Sequence, residues 1–236
     1  MTYLKYTNNL LTSSLFIFPF LIIYEFLAFF KFKNSTYQIR NTADIILRDI
    51  VGIFSSNVML FYSFLLLIIF LFFLIFKYED IKKYKFNLPY ISIMYIEGII
   101  FGIILVFLLN GIDIFNFNIT IVPSYDYSLL FYFCIGAAIW EEILFRLILI
   151  NLFFLIFKKL SINNNCAFIV SITFSSVLFS LFHYIGTLGD TFSMYSFIYR
   201  FVGGLYLSIL YYYRGIGISM MSHFIYDFLL ITIPEL

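Results

Sequence analysis

The sequence predicts an all-α membrane protein: a bundle of about seven transmembrane helices around a polar cavity inside the membrane. Hydrophobic residues make up 63% of the 236 residues and charged residues only 11%, whereas soluble domains carry roughly a quarter. Apolar runs of about 20 residues, the length of helix that crosses a bilayer, recur along the chain. The net charge of +1, without a basic stripe, argues against a nucleic-acid partner.

Seven apolar runs account for most of the chain, which is predicted to form one domain, 1–236. The runs are Leu10–Phe30, Val51–Phe76, Tyr90–Leu109, Ser128–Phe157, Cys166–Ile185, Met194–Tyr213 and Ile216–Ile233. The first three belong to an N-terminal part, 1–127, and the other four to a core, 128–236. After the first run, Ile39–Ile50 mixes charged and aliphatic residues, which is typical of a short helix at the membrane interface.

Loop charge predicts the orientation of the bundle, because loops rich in Lys and Arg stay in the cytoplasm. Six lysines lie in the loops after the second and fourth runs: Lys77, Lys82, Lys83, Lys85, Lys158 and Lys159. We therefore expect a cytoplasmic N-terminus and an external C-terminus. The loop after the first run disagrees, because it is placed outside and yet carries four basic residues: Lys31, Lys33, Arg40 and Arg48.

The stretch Trp140–Arg146 places two adjacent carboxylates and a guanidinium in the middle of the fourth run. Ionisable groups are expensive at this depth, so they indicate a functional site. Glu142 and Arg146 are four residues apart with the acid first, the favourable order for an ion pair on one helix face. That pair alone is equally compatible with a structural clamp between helices. Glu141 is left without a cation on its helix, which suits a general base.

Both histidines of the chain also lie in apolar runs. His183 falls in the fifth run, and His223 falls in the seventh with Asp227 four residues later on the same helix face. Taken alone, a single histidine is often a hydrogen-bonded core residue, and a His–Asp pair can clamp two helices. The confinement of both histidines and of the glutamate pair to three apolar runs favours one common site.

These patterns resemble the motifs of the CPBP family of intramembrane endopeptidases, also called the CAAX protease or Abi family. That family is related to the enzyme that trims CAAX-box proteins after prenylation. Its three motifs are Glu-Glu-x-x-x-Arg, Phe-x-x-x-His and His-x-x-x-Asn/Asp. Here they read Glu141-Glu142-x-x-x-Arg146, Phe179-x-x-x-His183 and His223-x-x-x-Asp227, in the expected order. The resemblance covers about Phe131 to Phe228.

The resemblance implies a peptide-bond hydrolase in which Glu141 and His183 activate a water molecule. It assigns His223 and Asp227 to the side of the site that stabilises the oxyanion, and the ion pair of the first motif to holding its helix in place. The implied substrate is a membrane-embedded or membrane-associated peptide or protein. The implied location is the lipid bilayer, as a multi-pass protein of a bacterial plasma membrane.

A zinc-dependent version of the same protease stays open at this point. Two histidines and a carboxylate can bind zinc with one position free, and His183, His223 and either Asp227 or Glu141 supply that set. The resemblance favours a reaction without a cofactor. Asp227 stands where the third motif often carries Asn, and an ionised carboxylate repels an oxyanion. We therefore expect Asp227 to hold the His223 imidazole in position, with a protonated Asp227 or a metal ligand as the alternatives.

A non-catalytic membrane protein is the competing class. It would be a bacteriocin-immunity or other partner-binding module, or a proton-coupled carrier. In a carrier, Glu25, Glu97 and the acidic residues of the three motifs would form a proton relay or a substrate site.

Overall fold

A computed structural model of the chain describes residues 2–33, 38–52, 87–110, 126–185 and 189–232. The regular elements within these ranges are all helical, which confirms the predicted all-α class for this part of the chain. In chain order they are α1 (Tyr3–Thr7), α2 (Leu10–Lys31), α3 (Thr42–Gly52), α4 (Leu88–Asn110), α5 (Tyr127–Glu141), a π-helical segment (Glu142–Ile150), α6 (Asn151–Lys159), α7 (Asn164–Phe182), α8 (Met194–Arg214) and α9 (Ile216–Thr232).

The described helices support a membrane-embedded chain but do not confirm the count of seven spans. Three helices are long and apolar enough to cross a membrane: Leu10–Lys31, Leu88–Leu109 and Asn164–Phe182. Helix α9 is apolar but shorter. The second predicted span, Val51–Phe76, lies outside the described residues beyond Gly52, which ends α3. The fourth is divided among α5, the π segment and α6.

The backbone passes from α5 through the π segment into α6 without leaving helical conformation. The first residue of the π segment, Glu142, has φ −66° and ψ −39°, and the first residue of α6, Asn151, has φ −67° and ψ −38°. Hydrogen bonds in a π helix run between residues five apart, and such segments occur mainly at functional sites. The two adjacent glutamates lie on either side of this change in helical period.

Helix α9, which carries His223, is enclosed along its first half. All of its residues from Ile216 to Phe224 are buried. Two glycines of α4 allow a close approach: a Cβ atom added to Gly98 would lie 2.5 Å from Cβ of Met221, and one added to Gly102 would lie 2.7 Å from Cβ of Ile225. Small residues four apart are a common means of bringing two membrane helices together. This contact fixes α9 against α4.

The connection between α8 and α9 is the single residue Gly215. Its φ of +84° lies in the region that favours glycine. A Cβ atom there would also lie 2.9 Å from the carbonyl oxygen of Thr7, so the N-terminal segment packs directly on this turn. Next to it, Arg214 of α8 donates to Glu97 of α4, with Nη2 2.6 Å from Oε2. Glu97 is therefore paired with a guanidinium.

Helices α2 and α3 are joined by four charged residues, which we call the α2–α3 charge cluster: Glu25, Arg40, Asp44 and Arg48. Arg40 contacts Glu25 at 2.9 Å and Asp44 at 3.1 Å, and Arg48 contacts the same two acids at 2.6 and 2.7 Å. Burial lowers the pKa of Arg40, but hydrogen bonds to Glu25 and the charges of Glu25 and Asp44 raise it above its ordinary value. Two cations therefore face two anions.

Three of the four basic residues of the loop after α2 are paired with acids. Arg40 and Arg48 are buried and contact Glu25, and Lys31 is paired with Asp126 at 2.5 Å. The positive-inside rule counts Lys and Arg and not net charge, so these pairs leave the disagreement of this loop in place. A cytoplasmic N-terminus and an external C-terminus remain the prediction.

Candidate active site

The two adjacent glutamates lie in different surroundings within the protein. Glu141 is the last residue of α5 and is 6% exposed, whereas Glu142 begins the π segment and is completely buried. The carboxylate of Glu142 is 3.1 Å from Nη1 of Arg146, so the predicted ion pair is present. Its two oxygens also accept hydrogen bonds from α9: Ser219 Oγ donates at 2.6 Å and His223 Nδ1 at 2.9 Å. Glu142 thus joins the first motif to the third.

Asp227, which was expected to hold the His223 ring, is not the carboxylate that is hydrogen-bonded to it. The carboxylate that holds the His223 ring through a hydrogen bond is Glu142, at Nδ1. Asp227 lies instead on the opposite side of the ring, 3.5 Å from Nε2, where Oε2 of Glu141 also approaches to 3.9 Å. The spacing of His223 and Asp227 along α9 correctly indicated proximity. It could not reveal that Nδ1 of His223 is hydrogen-bonded to Glu142, a residue of another helical segment.

His183 was predicted to lie inside the fifth span, but it is the residue that directly follows α7. The helix ends at Phe182, and the predicted fifth run extends to Ile185. Nδ1 of His183 is 2.8 Å from the carbonyl oxygen of Phe179. Because a carbonyl oxygen can only accept, Nδ1 carries the proton. The contact leaves Nε2 of His183 as the nitrogen that is available to the site.

The aromatic residue of the second motif, Phe179, packs against charged and polar members of all three motifs. Its ring lies under the Arg146 guanidinium, with the ring centroid 4.3 Å from Cζ, a cation–π distance. It also meets the rings of His183 and His223 edge to face, at centroid distances of 5.0 and 6.0 Å. Phe179 therefore contacts the Arg146 guanidinium and both imidazoles.

Asn41 contacts Glu141 and was not identified from the sequence. Its Nδ2 donates to Oε1 of Glu141 at 2.8 Å. Asparagine before Thr42 and Asp44 is a recognisable start signal for a helix, and Asn41 does cap α3, accepting from the Ala43 N–H at 2.8 Å. That signal concerns only the local helix. Nothing in it indicates a partner 100 residues away.

Two cavities meet at His183. One, of about 430 Å³, is lined by Glu141 and His183 together with residues around the start of α3. The other, of about 480 Å³, is lined by His183, His223 and Asp227 together with mostly apolar and tyrosine side chains of α4, α8 and α9. Glu141 and His183, to which the family resemblance assigns water activation, therefore line the same cavity. Those assigned to the oxyanion line the adjoining one.

The zinc alternative needs three ligands that lie close together. Within the described ranges, no three His, Cys, Asp or Glu side chains are grouped so that they could hold a metal ion. The side chains of that alternative, His183, His223 and either Asp227 or Glu141, are therefore not grouped as ligands in this arrangement.

The comparison with known families was consistent with the three motifs. The family model of Rce1-like proteins, described as type II CAAX prenyl endopeptidase Rce1-like, matches residues 123–229. No curated protein and no solved structure matches the chain. The matched range contains all six predicted site residues and excludes Asn41 and the α2–α3 charge cluster. Over residues 123–229, the chain is thus similar to Rce1-like CAAX prenyl endopeptidases, the family that the three motifs resemble.

Proposed function

We propose that the protein is an intramembrane endopeptidase that hydrolyses peptide bonds of membrane-associated substrates without a metal ion. The observation that carries this proposal is the setting of Glu141. Among the described residues, its polar contacts are the Asn41 amide and the Nε2 edge of His223, neither of which is a permanent cation, and it shares a cavity with His183. A carboxylate held in this way can accept a proton.

The reaction begins with a water molecule between the Glu141 carboxylate and the free nitrogen of His183. Glu141 takes a proton from the water as its oxygen attacks the carbonyl carbon of the substrate. The resulting oxyanion accepts a hydrogen bond from Nε2–H of His223, which must be protonated at both nitrogens for this step. Collapse of the intermediate breaks the C–N bond, and Glu141 returns the proton to the leaving amine. Water is consumed, and a carboxylate and an amine are formed.

The residues around this reaction have supporting roles. Glu142 holds the His223 ring at Nδ1, and Arg146 neutralises Glu142. Asp227 shares the Nε2 side of His223 with Glu141. Its charge would oppose the oxyanion, so an Asn at this position, which can donate a hydrogen bond, should serve the reaction at least as well. We therefore expect Asp227→Asn to retain or increase activity.

The surroundings of the site support a substrate that is anchored in the membrane. The cavity beside His223 and Asp227 has mainly apolar walls, which suit a peptide that is anchored in the bilayer. A prenylated carboxyl-terminal peptide is the first candidate, because the matching family model describes CAAX prenyl endopeptidases. Leader peptides and other membrane peptides are the alternatives to include in a substrate panel.

The direct test uses the purified full chain in lipid nanodiscs with prenylated and unprenylated membrane peptides, and cleavage sites identified by mass spectrometry. We expect cleavage that continues at an unchanged rate after treatment with EDTA or phenanthroline. Loss of activity on chelation and its recovery with zinc, together with an inactive Asp227→Asn variant, would replace this mechanism with a metal-dependent one. A failure to cleave any peptide would favour the non-catalytic class.

A further inference from the structure

We propose that Asn41 is a positioning residue for Glu141, a role that lies outside the part of the chain matched by the family model. This inference rests on the proposed function. Asn41 Nδ2 donates to Oε1 of Glu141 at 2.8 Å, while Oε2 of the same carboxylate faces Nε2 of His223 at 3.9 Å. One oxygen is thus held, and the other is directed into the site.

The orientation of the Asn41 amide is determined by its second hydrogen bond. Its Oδ1 accepts from the Ala43 N–H at 2.8 Å, as the side-chain cap of α3. A flipped amide would direct its nitrogen at an N–H group and its oxygen at a carboxylate, so both hydrogen bonds would be lost. The side chain can therefore present only its N–H₂ group to Glu141.

The backbone around Asn41 is fixed to the helix that carries Glu141. Tyr132 of α5 donates to the carbonyl oxygen of Ile39 at 2.7 Å. Arg40 and Asp44, on either side of Asn41, belong to the buried α2–α3 charge cluster. This cluster anchors the start of α3 to α2, and the Tyr132 contact anchors it to α5. Both anchors keep the amide in reach of the carboxylate.

A neutral amide can orient the Glu141 carboxylate without neutralising its charge, whereas a cation in the same place would neutralise it. Arg146 compensates the charge of Glu142, which turns that carboxylate into a structural anion. Asn41 restricts the rotation of the Glu141 carboxylate with a single hydrogen bond and brings no positive charge. Orientation of a reacting group within fractions of an ångström has a large effect on rate, about 100-fold for a displacement of about 1 Å.

The test separates the cap from the contact with Glu141. In Asn41→Ser, the hydroxyl can still cap α3 but is too short to replace the amide at Glu141. We expect kcat to fall by about 10- to 100-fold, with KM and the unfolding midpoint close to wild-type values. Asn163→Ser is the matched control: Asn163 is the exposed cap of α7, accepting from the Cys166 N–H, and its kcat should not change.

A second measurement is independent of activity. In Asn41→Asp, two carboxylates face each other, so the unfolding midpoint should fall. Combining it with Glu141→Gln reverses donor and acceptor and should restore the midpoint, a coupling that a double-mutant cycle detects. The positioning role alone would be overturned by either of two results. In the first, the changes in unfolding midpoint caused by Asn41→Asp and Glu141→Gln simply add. In the second, the wild-type chain is active and Asn41→Ser has the same kcat. An inactive wild-type chain would overturn the proposed function, and the positioning role with it, whatever the cycle shows.

Discussion

The α2–α3 charge cluster and the motif site are both groups of buried charges, but their charges are balanced differently. In the first, two guanidinium groups are paired with two carboxylates, and each arginine contacts both acids. In the second, three carboxylates accompany one guanidinium and two imidazoles: Glu141, Glu142, Asp227, Arg146, His183 and His223. Burial of charge is common to the two regions, so burial alone does not mark a functional site.

The difference indicates what each cluster does. Ions removed from water need close partners of opposite charge, and a cluster that supplies them to every member acts as scaffolding. The motif site supplies such a partner to Glu142 through Arg146 but leaves Glu141 with an amide and the edge of an imidazole. A carboxylate whose hydrogen bond comes from a neutral amide, and which has no guanidinium partner among the described residues, is available for proton transfer. The comparison therefore gives the two adjacent glutamates different roles: Glu142 is structural, and Glu141 is the candidate for proton transfer.

The largest loss of stability should follow from Glu142→Gln. This change leaves the completely buried Arg146 without its carboxylate, and the single amide oxygen of Gln replaces the two oxygens that accept from Ser219 and His223. Loss of one partner of a buried ion pair costs about 3–5 kcal/mol, so the unfolding midpoint and the activity should both fall. Glu141→Gln, measured by thermal unfolding in the same lipid, is the matched control. If the two variants lowered the unfolding midpoint equally, the structural role would not belong to Glu142 alone.

A somewhat smaller effect is expected from Asp44→Asn in the balanced cluster. Both arginines would then lose their ion pair with Asp44, and we expect the free energy of unfolding to fall by about 3 kcal/mol. Asp49→Asn is the control on the same helix, because Asp49 is exposed and exposed substitutions usually change stability by less than about 0.5 kcal/mol. Chemical unfolding measures both variants. Equal stability of the two would remove the scaffolding role.

The smallest effect is expected at the exposed pair of Lys31 and Asp126. Hydrogen bonds from Lys31 and the Ser128 hydroxyl lower the pKa of Asp126 to about 2, from an ordinary value of 3.8. Because the folded value is the lower one, the pair stabilises the protein above pH 3.8, and this contribution is lost as the pH falls towards 2. Asp126→Asn should therefore lower the unfolding midpoint slightly at neutral pH and leave it unchanged at pH 2. A difference of the same size at both pH values would contradict this assignment.

The sequence predicted those features of the site that depend on spacing within one helix. The Glu142–Arg146 pair and the proximity of His223 to Asp227 follow from residues four apart. The Gly98-x-x-x-Gly102 pattern in an apolar run is likewise a local signal, typical of close helix packing, and both glycines lie against α9. These features are local, and local periodicity encodes them.

The remaining features depend on how helices pack and have no local signal. Glu142 and His223 are 81 residues apart, and Asn41 and Glu141 are 100 apart. The π segment that begins at Glu142 also changes the helical period in the middle of an apolar run. A regular α-helix through Glu141 and Glu142 predicts the ion pair with Arg146. It does not predict which of the two carboxylates contacts α9. The division of roles between Glu142 and Asp227 therefore emerged only from the structure.

The most direct test of the account is the rate of peptide cleavage by Glu141→Gln, compared with Glu97→Gln and wild type. Glu97 is also a carboxylate within a predicted span, but it is paired with Arg214. We expect Glu141→Gln to lose turnover by about 10²- to 10⁴-fold, the usual contribution of a general base, with its unfolding midpoint unchanged or higher. Glu97→Gln should keep wild-type turnover per folded molecule and unfold at a lower temperature. Turnover by Glu141→Gln within a few-fold of wild type would contradict the account.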